Sequence, residues 1–247
     1  MNLRLLPALV ATAVLCLSAC TTAPESRPEA APVDTSIMPP QTALPSPDAT
    51  TASPIGSVTA ANLPAASDLQ WNEAATWKVD QTSTGGGGEQ VLACQQNSIE
   101  SLGASAIAVR TFTLSDSGEG AAIAMSFDSH ELADQAYATA GEWLIDCQQV
   151  LIAQGRTDGS RGIPLTAVDL PQGRAQMTEW SYRTDTTDPN NLQFESEGLI
   201  QVVDRVAMVM MRIEGQDNNW DLEPDGPTGA VHPMIRSLPA VADKLVD

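Results

Sequence analysis

The sequence predicts an α+β domain: a largely antiparallel sheet of about five strands, packed by a long helix and a C-terminal helix and stapled by one disulfide. Three observations carry this. Apolar residues recur at helical spacing from Leu132 to Leu151. Short β-branched runs come in adjacent pairs separated by turns, as hairpins do. Two cysteines, Cys94 and Cys147, remain once the N-terminal segment is set apart.

That segment, MNLRLLPALVATAVLCLSAC, has one basic residue, Arg4, then an apolar run from Leu5 to Leu17. The run is shorter than the roughly 20 apolar residues that span a bilayer, and it fits the apolar region of a secretory leader. Ser18-Ala19-Cys20 resembles the bacterial lipobox. Small side chains precede the cut, and a thiol accepts the lipid. Residues 1–19 are therefore read as a lipoprotein signal peptide and Cys20 as the lipidated residue, with an ordinary secretory leader as the alternative. From Cys20 to about Ser67, Pro, Ala, Thr and Ser dominate with no apolar period, so residues 20–67 read as a disordered tether. A tether of about 45 residues reaches on the order of 100 Å when mostly extended.

Residues 68–247 are left for one domain of ordinary size. The chain is strongly acidic, with a formal charge of −19, and loses only Arg4 among its charged residues with the leader. Nucleic acid and anionic lipid surfaces are poor partners for it, because they require basic patches. The expected membrane contact is the N-terminal lipid on the outer face of the cytoplasmic membrane. Cys94 and Cys147 form an even pair in an oxidising compartment and read as a disulfide, two buried free thiols being the alternative. No C-x-x-C is present and there are only two histidines, so no metal or cofactor is expected.

Within the domain, residues 88–102 read as helical, with an extended Val91–Cys94 as the alternative and Gly103 as a C-cap. Ala106–Leu114 alternates as a strand, SDSGEG turns, and residues 121–127 return. Asp128 and Ser129 are N-cap candidates, with Glu131 in a capping-box position. The long helix then carries Leu132, Ala136, Ala140, Trp143, Leu144, Cys147 and Leu151 on one face and closes at Gly155. A Gly-, Asp- and Pro-rich loop leads to a strand near Arg174–Thr184. Phe194–Val203 and Val206–Ile213 follow, turning at Asp204-Arg205. Met208–Met211 is apolar on both faces, which predicts a central strand. A helix near Val231–Val246 ends the chain.

The stretches ACQQNSIESLGASAIAVRTF, SFDSHELADQAYATAGEWLIDC and VMMRIEG resemble the extracellular sensor-domain family named after mycobacterial protein kinase H, the PknH-like domain. The resemblance spans most of residues 68–247. It implies an antiparallel α+β domain with disulfides pinning the helices and a cleft suspected of binding a ligand. It also implies an actinobacterial envelope protein, since free-standing lipoproteins of this kind occur there. This chain departs from the kinase-type domains, which carry two disulfides, and it contains no kinase motifs.

Aromatic residues are scarce. Trp180 and Tyr182 share one side of a strand whose faces are both mixed, so the strand is expected to border a half-open surface, with these rings on the floor of a ligand cleft. Arg110 and Arg183 are candidate carboxylate anchors within strands. Gly85–Gly88 reads as a connector, since no Gly-Lys-Ser/Thr follows it. Asp221, Glu223 and Asp225 match the start of a calcium loop, but His232 occupies the place of its closing glutamate. The default for residues 217–226 is a solvated acidic loop. No nucleophile–histidine pattern is present, so the chain is read as non-catalytic: a lipid-anchored domain that binds a small molecule or senses a signal, or alternatively an envelope protein-interaction module.

Overall fold

The computed structural model describes residues 56–71, 76–86, 90–115, 118–184, 191–215, 220–223 and 225–246. Seven antiparallel strands form one sheet: β1 (Trp77–Thr84), β2 (Ala106–Leu114), β3 (Gly118–Ser126), β4 (Thr157–Val168), β5 (Arg174–Arg183), β6 (Leu192–Val202) and β7 (Arg205–Glu214). Their order across the sheet is β1-β2-β3-β7-β6-β5-β4. The α+β class and the antiparallel sheet hold; the strand count is seven rather than about five. The two extra strands are the edges. β1 buries only Trp77, so it has no alternating apolar signal to read. β4 contains Gly159, Gly162 and Pro164, and its pairing with β5 shifts register three times. Proline is tolerated there because an edge strand has one unpaired side.

Helices cover both faces. On one lie α1 (His130–Ile145) and α2 (Cys147–Ala153). The expected long helix is thus broken at Asp146, which caps one and opens the other. Ser129 is the N-cap of α1, its side chain accepting the Leu132 N–H. The second face carries α3 (Pro233–Lys244). Leu238 and Met234 of α3 press so closely on β6 that a Cβ on Gly198 would fall 2.6 Å from Leu238 Cδ2. The alternation of each strand divides the core accordingly. Ile123, Leu199, Met208 and Met210 face α1, while Ala122, Ile200, Val209 and Met211 face α3. β7, fourth of seven, is buried on both faces, as its unbroken apolar run requires.

Three further expectations are corrected. The segment through Cys94 is not a helix; among its described residues only Ile99–Leu102 coils, as a 3-10 turn ending at Gly103 with φ 80°. The N–H groups of Ala93 and Cys94 go to the Glu195 and Glu197 side chains instead of to helix carbonyls. The fold also starts before residue 68, since Val58 and Leu63 are buried in the α3-side core. There Arg205 of β7 donates to the carbonyls of Gly56 and Leu245, clamping the start of the described fold to the end of its last helix. Finally, β6 and β7 turn through Val203-Asp204, with Val203 at φ 52°, a left-handed conformation uncommon for a β-branched residue.

Candidate functional site

Period-2 alternation sends Tyr182 and Thr184, Gln193, Glu195 and Glu197, and Met210, Arg212 and Glu214 to the α1 side of the sheet. The helices and the disulfide segment cover the nearer residues. Beyond them the same face stays open as a cleft of about 450 Å³, lined by Thr113, Ser115, Gly118, Glu119, Thr184, Gln193, Arg212 and Glu214. Its walls present hydroxyls, an amide and charged groups.

Arg212 is the hub of this cleft. Strand register places it opposite Glu119 on β3 and Glu195 on β6. Its Nη2 donates to the exposed Glu119, and its Nη1 lies 3.7 Å from the buried Glu195. Burial alone would pull the guanidinium pKa down, but the contacts to Glu195, Tyr182 and Glu119 outweigh that and raise it.

Glu195 is 1% exposed and heavily engaged. It accepts the Tyr182 hydroxyl at 2.5 Å and the Ala93 N–H at 2.8 Å. Arg156 approaches it at 3.8 Å. Burial pushes the Tyr182 phenol pKa well up, and the Glu195 charge adds to that. Two residues along, Glu197 is equally buried. Its Oε1 accepts the Cys94 N–H at 2.8 Å, while Oε2 receives no donor from elsewhere among the described residues. Burial first, then the neighbouring Glu195 charge, raises its pKa well above the usual carboxylate range. A strip of polar and ionised groups thus runs from the open cleft to the disulfide.

The disulfide is present: Cys94 and Cys147 are bonded, with Cα atoms 4.6 Å apart. Trp180 and Tyr182 do not border a half-open surface. They are 3% and 0% exposed, inside the α1-side core. The Arg161 and Arg156 guanidinium groups lie over their rings, at 4.7 and 4.4 Å from the centroids. Both faces of β5 look mixed in sequence because its polar residues find internal partners. Thr178 donates to the Ile163 carbonyl, for example, and Glu179 accepts from Ser196. The open surface begins one step further along the same strand face, at Thr184.

Arg110 is an internal brace. It donates to the carbonyls of Ala60, Leu63 and Pro64 and to Thr82 Oγ1, holding the N-terminal segment on β2. Arg183 is half-buried at the end of β5, opposite Leu192, and is not among the residues lining the cleft. Part of the acidic loop, residues 216–219 and 224, lies outside the described residues. Asp221 Oδ2 accepts from Thr228 N, Thr228 Oγ1 and Ala230 N, so this carboxylate organises its own loop. No group of three His, Cys, Asp or Glu side chains suited to a metal occurs among the described residues. Cys20 and residues 21–55 of the expected tether also lie outside them, as do residues 87 and 88 of the glycine run.

Sequence reading missed two clusters. Glu179, Ser196 and His232 meet on the α3 side of the sheet, at hydrogen-bond distances of 2.8 Å (Ser196 to Glu179) and 3.0 Å (His232 to Glu179). His232 Nδ1 accepts the Met234 N–H, which puts the imidazole proton on Nε2, facing Glu179. Ser196 Oγ donates to Glu179 and lies 3.4 Å from His232 Nε2, so this trio fixes the start of α3 to the sheet. The second is a groove of about 470 Å³ beside α1, where Arg174 stacks 4.2 Å from the Tyr137 centroid and pairs with Asp134 at 2.7 Å. Residues brought together only by β5 and α1 leave no spacing to read.

No family model matches this chain, and no curated protein matches it. Among solved structures, the extracellular domain of PknH from Mycobacterium tuberculosis is similar, with a TM-score of 0.44 and 11% identity over 77% of this chain and 98% of that one. No residue role follows from a likeness at that level.

Proposed function

We propose that this chain is a lipid-anchored, extracytoplasmic binding domain whose cleft around Arg212 takes a small polar ligand, without catalysing a reaction. The observation that carries the reading is the placement of Arg212. It is a half-buried cation fixed from below by Glu195, at the floor of an open cleft walled by hydroxyl, amide and carboxylate groups. Charges held in place from inside the fold favour ligand recognition, because little ordering cost remains when the ligand arrives. Cys20, the leader before it and the tether after it support attachment to the membrane from outside the cytoplasm.

The test uses Cys20→Ala protein, which the lipobox reading expects to leave the membrane fraction in detergent phase separation. Mass spectrometry of small molecules that co-purify with it should find a ligand. That ligand should be lost when Thr184 and Gln193 are replaced by Ala, with thermal stability retained. Continued membrane partitioning of Cys20→Ala would overturn the anchor. A bound ligand that survives the cleft substitutions would overturn the site, and capture of an envelope protein with no ligand would favour the interaction-module alternative.

A further inference from the structure

The cleft rests on an unusual foundation. Glu195 and Glu197 are two carboxylates on one face of a single interior strand, both 1% exposed. Each accepts one N–H from consecutive residues of the disulfide segment, Ala93 and Cys94, at 2.8 Å. Two neighbouring carboxylates deprived of water do not both ionise unless cations compensate each of them. The cations here are unevenly placed: Arg156 and Arg212 both pair with Glu195, at 3.8 and 3.7 Å. The phenol of Tyr182, from β5, also donates to Glu195. Glu119, from β3, faces the pair only through Arg212.

We propose that Glu195 and Glu197 share a single proton, that this proton keeps the disulfide segment docked on the sheet, and that Arg212 links its affinity to the occupancy of the cleft. The proton resides on Glu197, whose Oε2–H donates to the Glu195 carboxylate. Its loss places a second charge in the core, and something must open to hydrate it. β6 cannot yield, being hydrogen-bonded along its length to β5 and β7. The segment carrying Ala93 and Cys94 can. Among the described residues its hydrogen bonds to β6 are the two N–H contacts to these carboxylates, the Gln154 side chain holds the Ala93 carbonyl from α2, and the rest of its hold is apolar packing of Leu92, Ala93 and Cys94. The disulfide limits the opening, since Cys94 stays bonded to Cys147 at the start of α2.

The link to the cleft rests on the reading of that cleft as the ligand site. A ligand that draws Arg212 away from Glu195 leaves the pair with less positive charge and tightens its hold on the proton. One that displaces the Glu119 carboxylate from Arg212 does the opposite. Binding would then be coupled to proton uptake or release, with the disulfide segment as the part that responds.

The experiment needs no ligand. The Cys20→Ala chain, labelled with ¹³C at glutamate side-chain carboxyls, is titrated by NMR, with Glu197→Gln identifying the Glu197 signal by its absence. The wild-type Glu197 carboxyl should titrate above the ordinary carboxylate range. Through the same pH interval, hydrogen exchange at the Ala93 and Cys94 amides should accelerate on the order of tenfold beyond the intrinsic rise. Glu197→Gln should abolish that acceleration. Glu119→Gln should move the titration roughly half a pH unit lower, the effect of removing one surface charge at a high effective dielectric. Titration of Glu197 within the ordinary range, or unchanged pH dependence of exchange in Glu197→Gln, would overturn the shared proton. An unmoved midpoint in Glu119→Gln would overturn the link to the cleft. Should Glu197→Gln fail to fold, uniform labelling and through-bond correlation to the Glu197 backbone amide assign the carboxyl, and the Glu119→Gln comparison and wild-type exchange decide. A high Glu197 titration together with no ligand in the cleft would leave the proton clasp standing and refute only the cleft reading.

Discussion

Replacing both Cys94 and Cys147 by Ala should destabilise the domain by about 4 kcal/mol. The two residues are 53 apart in sequence, and closing a loop of that length removes about 14 cal/mol/K of chain entropy from the unfolded state, or about 4 kcal/mol at 25 °C. Their Cα separation of 4.6 Å lies within the usual disulfide range, so the bond forms without backbone displacement. Both half-cystines are essentially fully buried, so the lost sulfur contacts add to the entropic loss. With a urea dependence of roughly 2 kcal/mol/M for a domain of this size, the unfolding midpoint should fall by about 2 M. Equilibrium urea denaturation followed by tryptophan fluorescence measures this directly. A double-alanine variant whose midpoint moves by less than about 0.5 M would refute the loop-closure argument. It would show that the Glu195 and Glu197 contacts, together with the burial of Leu92 and Ile99, hold the segment without the bond.

Trp180→Ala should cost about 3–5 kcal/mol, the range for emptying a core site of that size, and thermal denaturation reads it. A loss below about 1 kcal/mol would contradict the buried placement under Arg161. Asp221 has a lowered pKa, chiefly from the Thr228 hydroxyl, so its contribution is present above the ordinary Asp pKa and fades as pH falls through the depressed folded value. Melting curves of Asp221→Asn between pH 7 and about pH 3 should therefore show a shallower acid decline than wild type; parallel declines would exclude the effect. The sign is opposite for Glu197, whose pKa is raised. The folded state holds its proton after the unfolded chain has lost one, so stability falls as pH rises above the ordinary Glu pKa and levels off past the folded value. Glu197→Gln should gain on wild type in melting temperature across that interval, and a constant difference would count against it.

Elements whose apolar residues face one layer were legible in the sequence. Ala106–Leu114 and the start of α1 carry their periodicity openly, and the unbroken run Met208–Met211 gives away the central strand. β1 was not legible, because an edge strand exposed on both faces has no pattern to show. The segment around Cys94 misled for a different reason. Its spacing suits a helix, but its amides are claimed by carboxylates about a hundred residues later in the chain, a competition invisible to local reading. The same holds for the cleft. Scarce aromatic residues drew attention to Trp180 and Tyr182, whereas Arg212 became significant only once strand register set it between Glu119 and Glu195. Glu195 and Glu197 look in sequence like two of many acids on an acidic protein. Only the sheet shows that both point inward.

The Arg205 clamp has a consequence for mechanics and access. Gly56, where the chain enters the described fold, is held at the first residue of β7, whereas Arg212 lies seven residues further along that strand, about 23 Å away at the usual rise per residue. A pull on the preceding chain is therefore taken up by a guanidinium buried between the two ends of the domain and passes into β7 and the last turn of α3. The load enters at the end of the strand remote from the cleft. The attachment point at Gly56 and the cleft residue Arg212 thus sit toward opposite ends of one central strand.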